Sequence, residues 1–412
     1  MIKPKSAKNE TKILIFTSLA HFLFHYYELL LPALAIPMML SLKLDLPSVL
    51  KLSFLMYLLT GIGSLPAGYL SDRLGKKNSI IIFFLGSSVS LILASFMHER
   101  TAFVLLFGMV GLFSSICHPA VMGLISVGVK NIGTALGING VSGAIGLTSA
   151  PFIGALLNWI GGWRFAFAAS GIIGLTAGIM MIISRVEEKK VRELAPAKSR
   201  KTAKAKNNNI KQFIILCVIM TFGGLAYRAN SLVLPSYIEL NANFLSGLLG
   251  SFSSKLSGIN TVASSVFVSI AYIFGMAGAL IGGRLADRFE LKRLYLTFYF
   301  AAFPISLLMA VASGFPLVML AALYLFFTLG TQPIENSLVA KYTPEKWRST
   351  AYGIKFILVF GISSVAVYVV GWIKAAYSLA SVYNAIGIVM IGISSLIILL
   401  ITTARKETEQ KS

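Results

Sequence analysis

The stretch that decides the fold is "GYLSDRLGKK" at residues 68–77, because it returns in the second half of the chain as "GRLADRFELK" at residues 283–292. Other segments repeat at nearly the same separation: "GTALGIN" (133–139) with "STAYGIK" (349–355), "ICHPAVMGL" (116–124) with "TQPIENSL" (331–338), and the surroundings of Pro32 with those of Pro235. Self-similarity at several places predicts two halves built on one plan.

The composition is that of a membrane protein. Of the 412 residues, 56% are hydrophobic and only 12% are charged, and the mean hydropathy is +0.81. Apolar stretches long enough to cross about 30 Å of hydrocarbon recur along the chain. They predict an all-α protein with twelve membrane spans, numbered 1 to 12 in chain order: 13–40, 46–70, 78–97, 102–128, 133–159, 164–184, 212–239, 258–283, 293–313, 315–340, 349–373 and 378–403.

The positive charges are sorted by loop. Most of the 36 Lys and Arg residues lie before span 1, in alternate loops and after span 12. The positive-inside rule therefore predicts a multi-pass protein of the plasma (inner) membrane with both termini in the cytoplasm. The net charge of +21 then faces anionic lipid headgroups, and nucleic acid is not expected as a partner.

A basic, polar stretch divides the chain. "RVEEKKVRELAPAKSRKTAKAKNNNIK" at residues 185–211 has the composition of a linker. We therefore expect an N-terminal bundle of six helices at 1–184, a cytoplasmic linker at 185–211, and a C-terminal bundle of six helices at 212–412.

The motifs of enzymes and of metal centres are missing from the sequence. It contains no phosphate-binding loop and no set of nucleophile and base, so neither catalysis nor a cofactor is expected. His21 and His25 lie one helical turn apart near Glu28, but the HExxH order is lacking, and Cys117 and Cys217 are isolated. No metal site is predicted.

The repeated stretch resembles the signature of the major facilitator superfamily, Gly-x-x-x-Asp-Arg-x-Gly-Arg/Lys-Arg/Lys, in the loop between helices 2 and 3. The resemblance covers essentially the whole chain, with twelve spans, a basic central loop and a copy of the signature in each half. Within the superfamily, the histidines of span 1 and "CHPAVMGLIS" (117–126) resemble the fosmidomycin-resistance-type efflux branch. The resemblance implies two pseudo-symmetric bundles that alternate access to a midplane site.

The resemblance also implies a cytoplasmic gate. In the family the signature carboxylate holds the two halves together when the outer side is open. The gating residues expected on this basis are Gly68, Asp72, Arg73, Gly75, Lys76, Asp287 and Arg288. The second copy departs from the pattern, because Glu290 replaces the second glycine and Leu291 the first basic residue. Whether that copy gates is left open, and both loops could instead be solvated turns.

Span 5 carries "GLTSAPFIGA" at residues 146–155. It resembles the Gly-x-x-x-Gly-Pro-x-x-Gly motif of proton-coupled exporters, with Ala150 in place of one glycine. Gly146, Pro151 and Gly154 are therefore expected to pack helices closely, and generic packing by small residues is the alternative. The arginine that many proton-coupled members carry in helix 4 is absent, since His118 is the only strongly ionisable residue of span 4.

The first span carries ionisable groups where lipid is expected. In "HFLFHYYELLLP" (21–32), His21, His25 and Glu28 fall on one face of the helix. Charged groups inside a membrane normally face a water-filled cavity or one another. In the family, helices 1, 4, 7 and 10 line that cavity, and they hold most of the other buried polar residues of this chain.

Two sets of site residues follow. The expected substrate-binding residues are His25, Arg228, His118, Gln332, Lys355 and Asn230, and the expected proton-coupling residues are Glu28, His21 and Glu335. Other interpretations stay open. His118 and Asn230 could bond a neighbouring carbonyl group, Lys355 could reach the cytoplasmic surface, and Arg228 could form a structural ion pair with Glu28.

These observations predict a secondary transporter for a small organic anion, active as a monomer, with proton coupling and antiport as the expected mode. The direction of transport and the coupling ion are left open, and export is one possibility. The basis for an anion is the excess of cations in the expected site. A translocase for lipids, amphiphiles or multiple drugs is one alternative. A membrane receptor that binds ligand without transporting it is another.

Overall fold

The computed structural model describes residues 4–188, 210–241, 259–344 and 348–409, and every regular element in these ranges is helical. Most of the predicted linker therefore lies outside the described residues. In chain order the helices are α1 (Pro4–Ala33), α2 (Ala35–Leu42), α3 (Leu46–Lys51), α4 (Phe54–Leu74), α5 (Lys76–Phe96), α6 (Arg100–Ser114), α7 (Cys117–Gly128), α8 (Ile132–Ile183), α9 (Ile210–Asn241), α10 (Ile259–Ala286), α11 (Leu291–Met309), α12 (Gly314–Tyr342), α13 (Arg348–Phe356), α14 (Ala366–Ala376) and α15 (Ser381–Glu409), with a π-helical turn (Ile357–Gly361) and a 3₁₀ turn (Ile362–Val365) between α13 and α14.

Within the described residues, ten helical segments are long and apolar enough to cross a membrane. They are Lys8–Ala33, Leu46–Leu74, Lys76–Phe96, Arg100–Gly128, Ile132–Ile183, Ile210–Asn241, Asn260–Ala286, Gly314–Tyr342, Thr350–Ala376 and Ser381–Thr403. A helix satisfies its own backbone hydrogen bonds, which lipid cannot do. The chain is thus a multi-pass membrane protein. The count of twelve spans stays a prediction, because α8 alone covers predicted spans 5 and 6 and α11, at span 9, is not among the ten.

Helix α8 is interrupted near its middle. Gly161 (φ −145°, ψ 15°) and Gly162 (φ 82°, ψ 170°) depart from helical geometry within the 52 residues of α8. The positive φ of Gly162 is unfavourable for any residue with a Cβ atom. This interruption coincides with the predicted loop between spans 5 and 6.

Two carboxylates cap the helices that open the segments Leu46–Leu74 and Arg100–Gly128. Asp45 caps α3 by accepting a hydrogen bond from the Ser48 backbone N–H (3.1 Å), and this interaction with Ser48 lowers the pKa of the carboxyl. Glu99 caps α6 by accepting from the N–H groups of Thr101 (2.9 Å) and Ala102 (2.6 Å), which likewise lower its pKa. Each cap satisfies backbone donors that the first turn of a helix leaves free.

The N-terminal and C-terminal parts of the chain meet at several places. At one of them α4 packs on the π-helical turn, and at another α8 packs on α10. The first is a contact between backbones, because a Cβ atom on Gly61 would overlap the backbone of Gly361. Small residues at such crossings allow the close approach that drives helix association in membranes.

Helices α1 and α9 are buried unevenly along their lengths. Residues 26–36 and residues 228–238 are buried on every face, whereas large apolar side chains nearer the start of each helix are exposed, among them Ile15, Leu19 and Ile214. Neighbouring helices therefore surround the C-terminal ends of α1 and α9, and the protein is closed to solvent at those ends.

Candidate functional site

The centre of the site is an ion pair between two helices that are far apart in sequence. Glu28 of α1 and Arg228 of α9 are both buried, and Glu28 Oε1 lies 2.9 Å from Arg228 Nη1. The guanidinium lies 3.7 Å from the centre of the Tyr57 ring. Tyr57, from α4, donates its hydroxyl hydrogen to the Glu28 carbonyl oxygen (2.9 Å). Three helices therefore hold the pair in place.

Arg228 is incompletely hydrogen-bonded. None of its three side-chain nitrogens makes a hydrogen bond of good geometry to a partner in the described part of the chain, and neither does Glu28 Oε1. The pair therefore provides charge compensation at short distance without the two parallel hydrogen bonds of a well-formed arginine–carboxylate contact. Buried donors in this condition are costly unless another acceptor reaches them.

Three histidines lie beside this pair. His25 Nδ1 is 2.8 Å from Glu28 Oε2, so the glutamate contacts both the histidine and the arginine. His21 Nδ1 is 2.7 Å from the carbonyl oxygen of Asn139, a residue of α8. His118, on α7, has its ring centroid 5.0 Å from that of His21 and 5.8 Å from that of His25.

A second buried ion pair lies in the C-terminal part of the chain. Lys355 Nζ is 2.7 Å from Glu335 Oε1 and donates to Asn336 Oδ1 at 2.6 Å. Glu335 Oε2 accepts a hydrogen bond from the Tyr295 hydroxyl (2.7 Å). Both charged residues are buried. Lys355 thus pairs within the protein in this structure.

The remaining expected substrate-binding residues lie outside both pairs. Asn230 is buried two residues after Arg228, and its Oδ1 accepts a long hydrogen bond from the Tyr383 hydroxyl (3.4 Å). Gln332 is exposed on α12. The structure therefore brings together Glu28, Arg228 and the histidines, and separately Glu335 with Lys355.

The two signature loops hold the residues expected to gate, and their gating role stays a prediction. Asp72 is three-quarters exposed and bonds Lys76 at 2.9 Å within its own loop, while the Arg73 guanidinium lies over the Tyr69 ring. Gly75 has a φ of 88°, which favours glycine at this turn. Asp287 and Arg288 are exposed in the second loop. In this conformation the recorded ion pair of Asp72 lies within one loop rather than across the two halves.

The expected packing residues of span 5 lie against α1. A Cβ atom on Gly146 would overlap the carbonyl oxygen of Phe22. Gly154 faces Leu30, with its ideal Cβ position 3.2 Å from Leu30 Cδ1, and Pro151 is buried. Gly68, in the first signature loop, has more room, because its nearest neighbour would be Pro119 at 3.8 Å.

Sequence reasoning missed the tyrosines of the site. Tyr57 bonds the Glu28 backbone carbonyl and faces the Arg228 guanidinium, and Tyr295 bonds the Glu335 carboxylate. Tyrosine in an apolar span is nevertheless a weak signal, because tyrosine is also common at membrane interfaces. Asn139 was recognised only as the counterpart of Lys355 in the repeat. Its carbonyl holds His21, and its Nδ2 donates to the Thr17 carbonyl oxygen (2.8 Å).

Comparison with known families identifies the protein class. The family model described as Major Facilitator Superfamily matches residues 14–367. The chain belongs to the Major Facilitator Superfamily. This major facilitator is accordingly an integral membrane protein of a transporter superfamily.

Solved structures of other major facilitators share the fold at low sequence identity. A bacterial homologue of the human lysosomal transporter Spinster, inward-facing and occupied, is 13% identical with a TM-score of 0.72 over 98% of both chains. The peptide transporter POT in complex with sulfate is 15% identical, with a TM-score of 0.75 over 96% of this chain and 94% of that one.

One curated relative is the probable L-galactonate transporter of Escherichia coli (strain K12), which is 22% identical over 243 residues, or 55% of this chain. The matched region spans about half the length of that relative (50%). The narrower resemblance to the fosmidomycin-resistance-type efflux branch stays a prediction.

Proposed function

We propose that this major facilitator is a secondary active transporter for small organic anions, and that it moves them together with protons by alternating access. The observation that carries the proposal is the buried guanidinium of Arg228, whose nitrogens lack well-oriented hydrogen-bond acceptors among the described residues. An arginine fork matches the geometry of a carboxylate, and a bound anion would supply the missing acceptors.

The position of Glu28 suggests how protons couple to the anion. While Glu28 is ionised, it already compensates Arg228 at 2.9 Å, and a substrate anion must compete with it. Protonation of Glu28 removes the competitor and leaves Arg228 free for the substrate. Proton and anion then favour each other's binding, and this mutual dependence is the linkage that cotransport requires.

The same geometry argues against the antiport expected from the sequence. In an antiporter, proton binding must weaken substrate binding, as it would for a cation attracted to ionised Glu28. Histidines 21 and 25 extend the proton path from Glu28, and Glu335 with Lys355 forms a similar pair at a second position. We assign Glu28 the main coupling role, because it alone of these two carboxylates contacts Arg228.

The proposed architecture has twelve spans in two bundles of six, at residues 1–184 and 212–412, joined by the linker at 185–211. Both termini lie in the cytoplasm under the positive-inside rule. With this orientation, the closed ends of α1 and α9 face outward, and the structure represents an inward-facing state. An exposed Asp72 is consistent with a cytoplasmic gate that has released.

Support for an acidic substrate also comes from the relative, whose name describes a probable transporter of L-galactonate, a sugar acid. L-galactonate and similar small sugar acids are therefore suitable first ligands. Because the relative is 22% identical over about half of its length, these sugar acids are used as test ligands and are not assigned as the substrate.

An amphiphile translocase is a second candidate, favoured by an apolar groove between α1 and α8. Its volume is about 290 Å³, and its lining includes Ile15, Leu19, Phe22 and Ile145. Such a groove would suit an acyl chain. Extraction of labelled lipid from vesicles, with no flux of sugar acids, would favour this function over the first.

The decisive experiment combines binding with flux. We expect L-galactonate or another small carboxylate to raise the melting temperature of the purified protein, and to cause proton uptake from weakly buffered solution when it binds. Arg228→Gln should weaken this binding about 10- to 100-fold, the equivalent of one charged hydrogen-bonding contact. Glu28→Gln should abolish uphill uptake driven by a pH gradient in proteoliposomes while sparing downhill flux.

Arg100→Gln provides the matched control, because Arg100 is an exposed arginine outside the site. It should leave binding and flux unchanged. Release of protons on binding would identify antiport instead. The anion proposal fails if Arg228→Gln binds every carboxylate as tightly as the wild type, or if only neutral or cationic compounds bind.

A further inference from the structure

The three histidines of the site converge on one point from two helices. His21 and His25 belong to α1 and His118 to α7, and one ring nitrogen from each lies within 4.8 Å of the other two. The helices that carry or face the histidines are held close together. Cys117 Sγ lies 3.5 Å from the Ala20 carbonyl oxygen, and Gly143 leaves room for the His21 ring, which a Cβ atom there would approach to 2.6 Å.

Two of the rings are oriented by partners on their Nδ1 atoms. The Asn139 carbonyl can only accept, so His21 Nδ1 donates to it (2.7 Å), and Glu28 Oε2 lies 2.8 Å from His25 Nδ1. In a neutral imidazole, a donating Nδ1 leaves Nε2 with its lone pair available. Histidine ligands of metals characteristically donate their second nitrogen to a carbonyl or carboxylate in this way.

The third ring has a buried nitrogen without a partner. His118 Nε2 has no hydrogen-bond partner among the described residues. Aromatic rings enclose this histidine, with Phe24 at 4.4 Å and Phe356 at 5.1 Å between centroids. Like charges so close together disfavour protonation of all three imidazoles at once. Neutral rings with unpaired nitrogens are what a metal ion would require.

We propose that His21, His25 and His118 form a binding site for a divalent transition metal ion of the Zn²⁺ or Co²⁺ class. Tetrahedral ligand nitrogens about 2.0–2.1 Å from such an ion lie about 3.3 Å apart. The longest nitrogen separation must then shorten by about 1.5 Å, which is within the reach of side-chain rotation. The expectation of no metal site considered α1 alone, whereas the third ligand comes from α7.

The donor set defines the chemical class of the ion. Imidazole nitrogen suits Zn²⁺, Co²⁺, Ni²⁺ and Cu²⁺, while Mg²⁺ and Ca²⁺ prefer oxygen. Three protein ligands leave a fourth position for water or for an oxygen of a bound anion. Glu28 and Arg228 compensate each other next to the site. The added double charge would therefore favour an anion in the fourth position, although the metal site itself does not depend on transport.

Metal binding can be measured directly on the purified, full-length protein without a polyhistidine tag. We expect Zn²⁺ to bind with a stoichiometry of one by calorimetry, and Co²⁺ to produce the visible absorption of a tetrahedral complex. His118→Ala and His118→Asn should each weaken Zn²⁺ binding at least 10-fold and remove the Co²⁺ absorption. Two substitutions are used so that a folding defect in one does not decide the result.

The chain offers its own control. Its fourth histidine, His98, is exposed and distant from the cluster, so His98→Ala should bind as the wild type does. Cys117→Ser and Cys217→Ser should retain the Co²⁺ absorption, which excludes thiolate ligands. The proposal is overturned if the folded wild-type protein binds no stoichiometric Zn²⁺, or if both His118 variants bind it with unchanged affinity.

Discussion

At the scale of single residues, each buried carboxylate of the site has one cation as its partner. Glu28 lies 2.9 Å from Arg228, and Glu335 lies 2.7 Å from Lys355. The sequence suggested an excess of uncompensated positive charge in the site. In the structure Arg228 and Lys355 are each compensated by a carboxylate, until that carboxylate is protonated or a ligand replaces it. Removing one member of a buried pair is costly, because the other member is left uncompensated.

The Glu335–Lys355 pair tests this directly. Lys355→Gln and Glu335→Gln should each destabilise the protein by about 3–5 kcal/mol, whereas the double variant should recover much of the loss because neither charge remains unpaired. Thermal unfolding of the three variants in detergent measures the coupling. The exposed Glu290–Arg293 pair, 3.1 Å apart, should lose less than about 1 kcal/mol when treated in the same way. Additive effects of the two buried substitutions would contradict the pairing.

At the scale of helices, α4 and the π-helical turn make a close contact between the two parts of the chain. Gly61 and Gly361 bring the backbones together without intervening side chains. A π-helical turn widens the helix locally and often occurs at functional positions. This crossing joins α4, which carries Tyr57, to the turn that directly follows α13, the helix that carries Lys355.

Gly61→Ala should lower the melting temperature and reduce flux, since the added methyl group would overlap the Gly361 backbone. Gly140→Ala is the matched control, because Gly140 is also helical but has nothing within 4 Å of its ideal Cβ position. It should be neutral, or stabilising by about 0.5–1 kcal/mol. Equal melting temperatures for the two variants would show that the close contact at Gly61 does not contribute to stability.

At the scale of the whole molecule, the protein is closed around the C-terminal ends of α1 and α9. Helices α3 and α14 pack together, and an ideal Cβ atom on Gly371 would lie 3.4 Å from the Pro47 Cβ. Alternating access requires such a contact to open in another state. If it does, a covalent link here should hold the transporter in the conformation described.

Pro47→Cys combined with Gly371→Cys should form a disulfide on oxidation, because the Cβ separation is close to the usual range of about 3.5–4.5 Å. In a background with Cys117→Ser and Cys217→Ser, oxidation should stop flux in proteoliposomes and reduction should restore it. Each single cysteine variant serves as the control and should be insensitive to oxidant. Full flux in the cross-linked protein would mean that α3 and α14 do not separate during transport.

Much of the fold could be predicted from the sequence, because a membrane imposes a simple rule. An apolar stretch about 20 residues long must be helical there, so the helical content and the position of each long apolar segment follow from composition alone. The repeated signature pointed to the superfamily through local residue types. The polar stripe of α1 was also recognisable, since His21, His25 and Glu28 lie on one helix with a known periodicity.

The partners of that stripe were decided only by the tertiary structure. Which side chain compensates Glu28, which carbonyl holds His21, and which helix brings His118 within 4.8 Å of the other histidines depend on contacts between distant segments. Helical periodicity fixes which residues share a face, but not how two helices rotate and slide against each other. Those choices are set by packing at residues such as Gly143, Gly146 and Gly61, whose effect on distance appears only when the facing helix is in place.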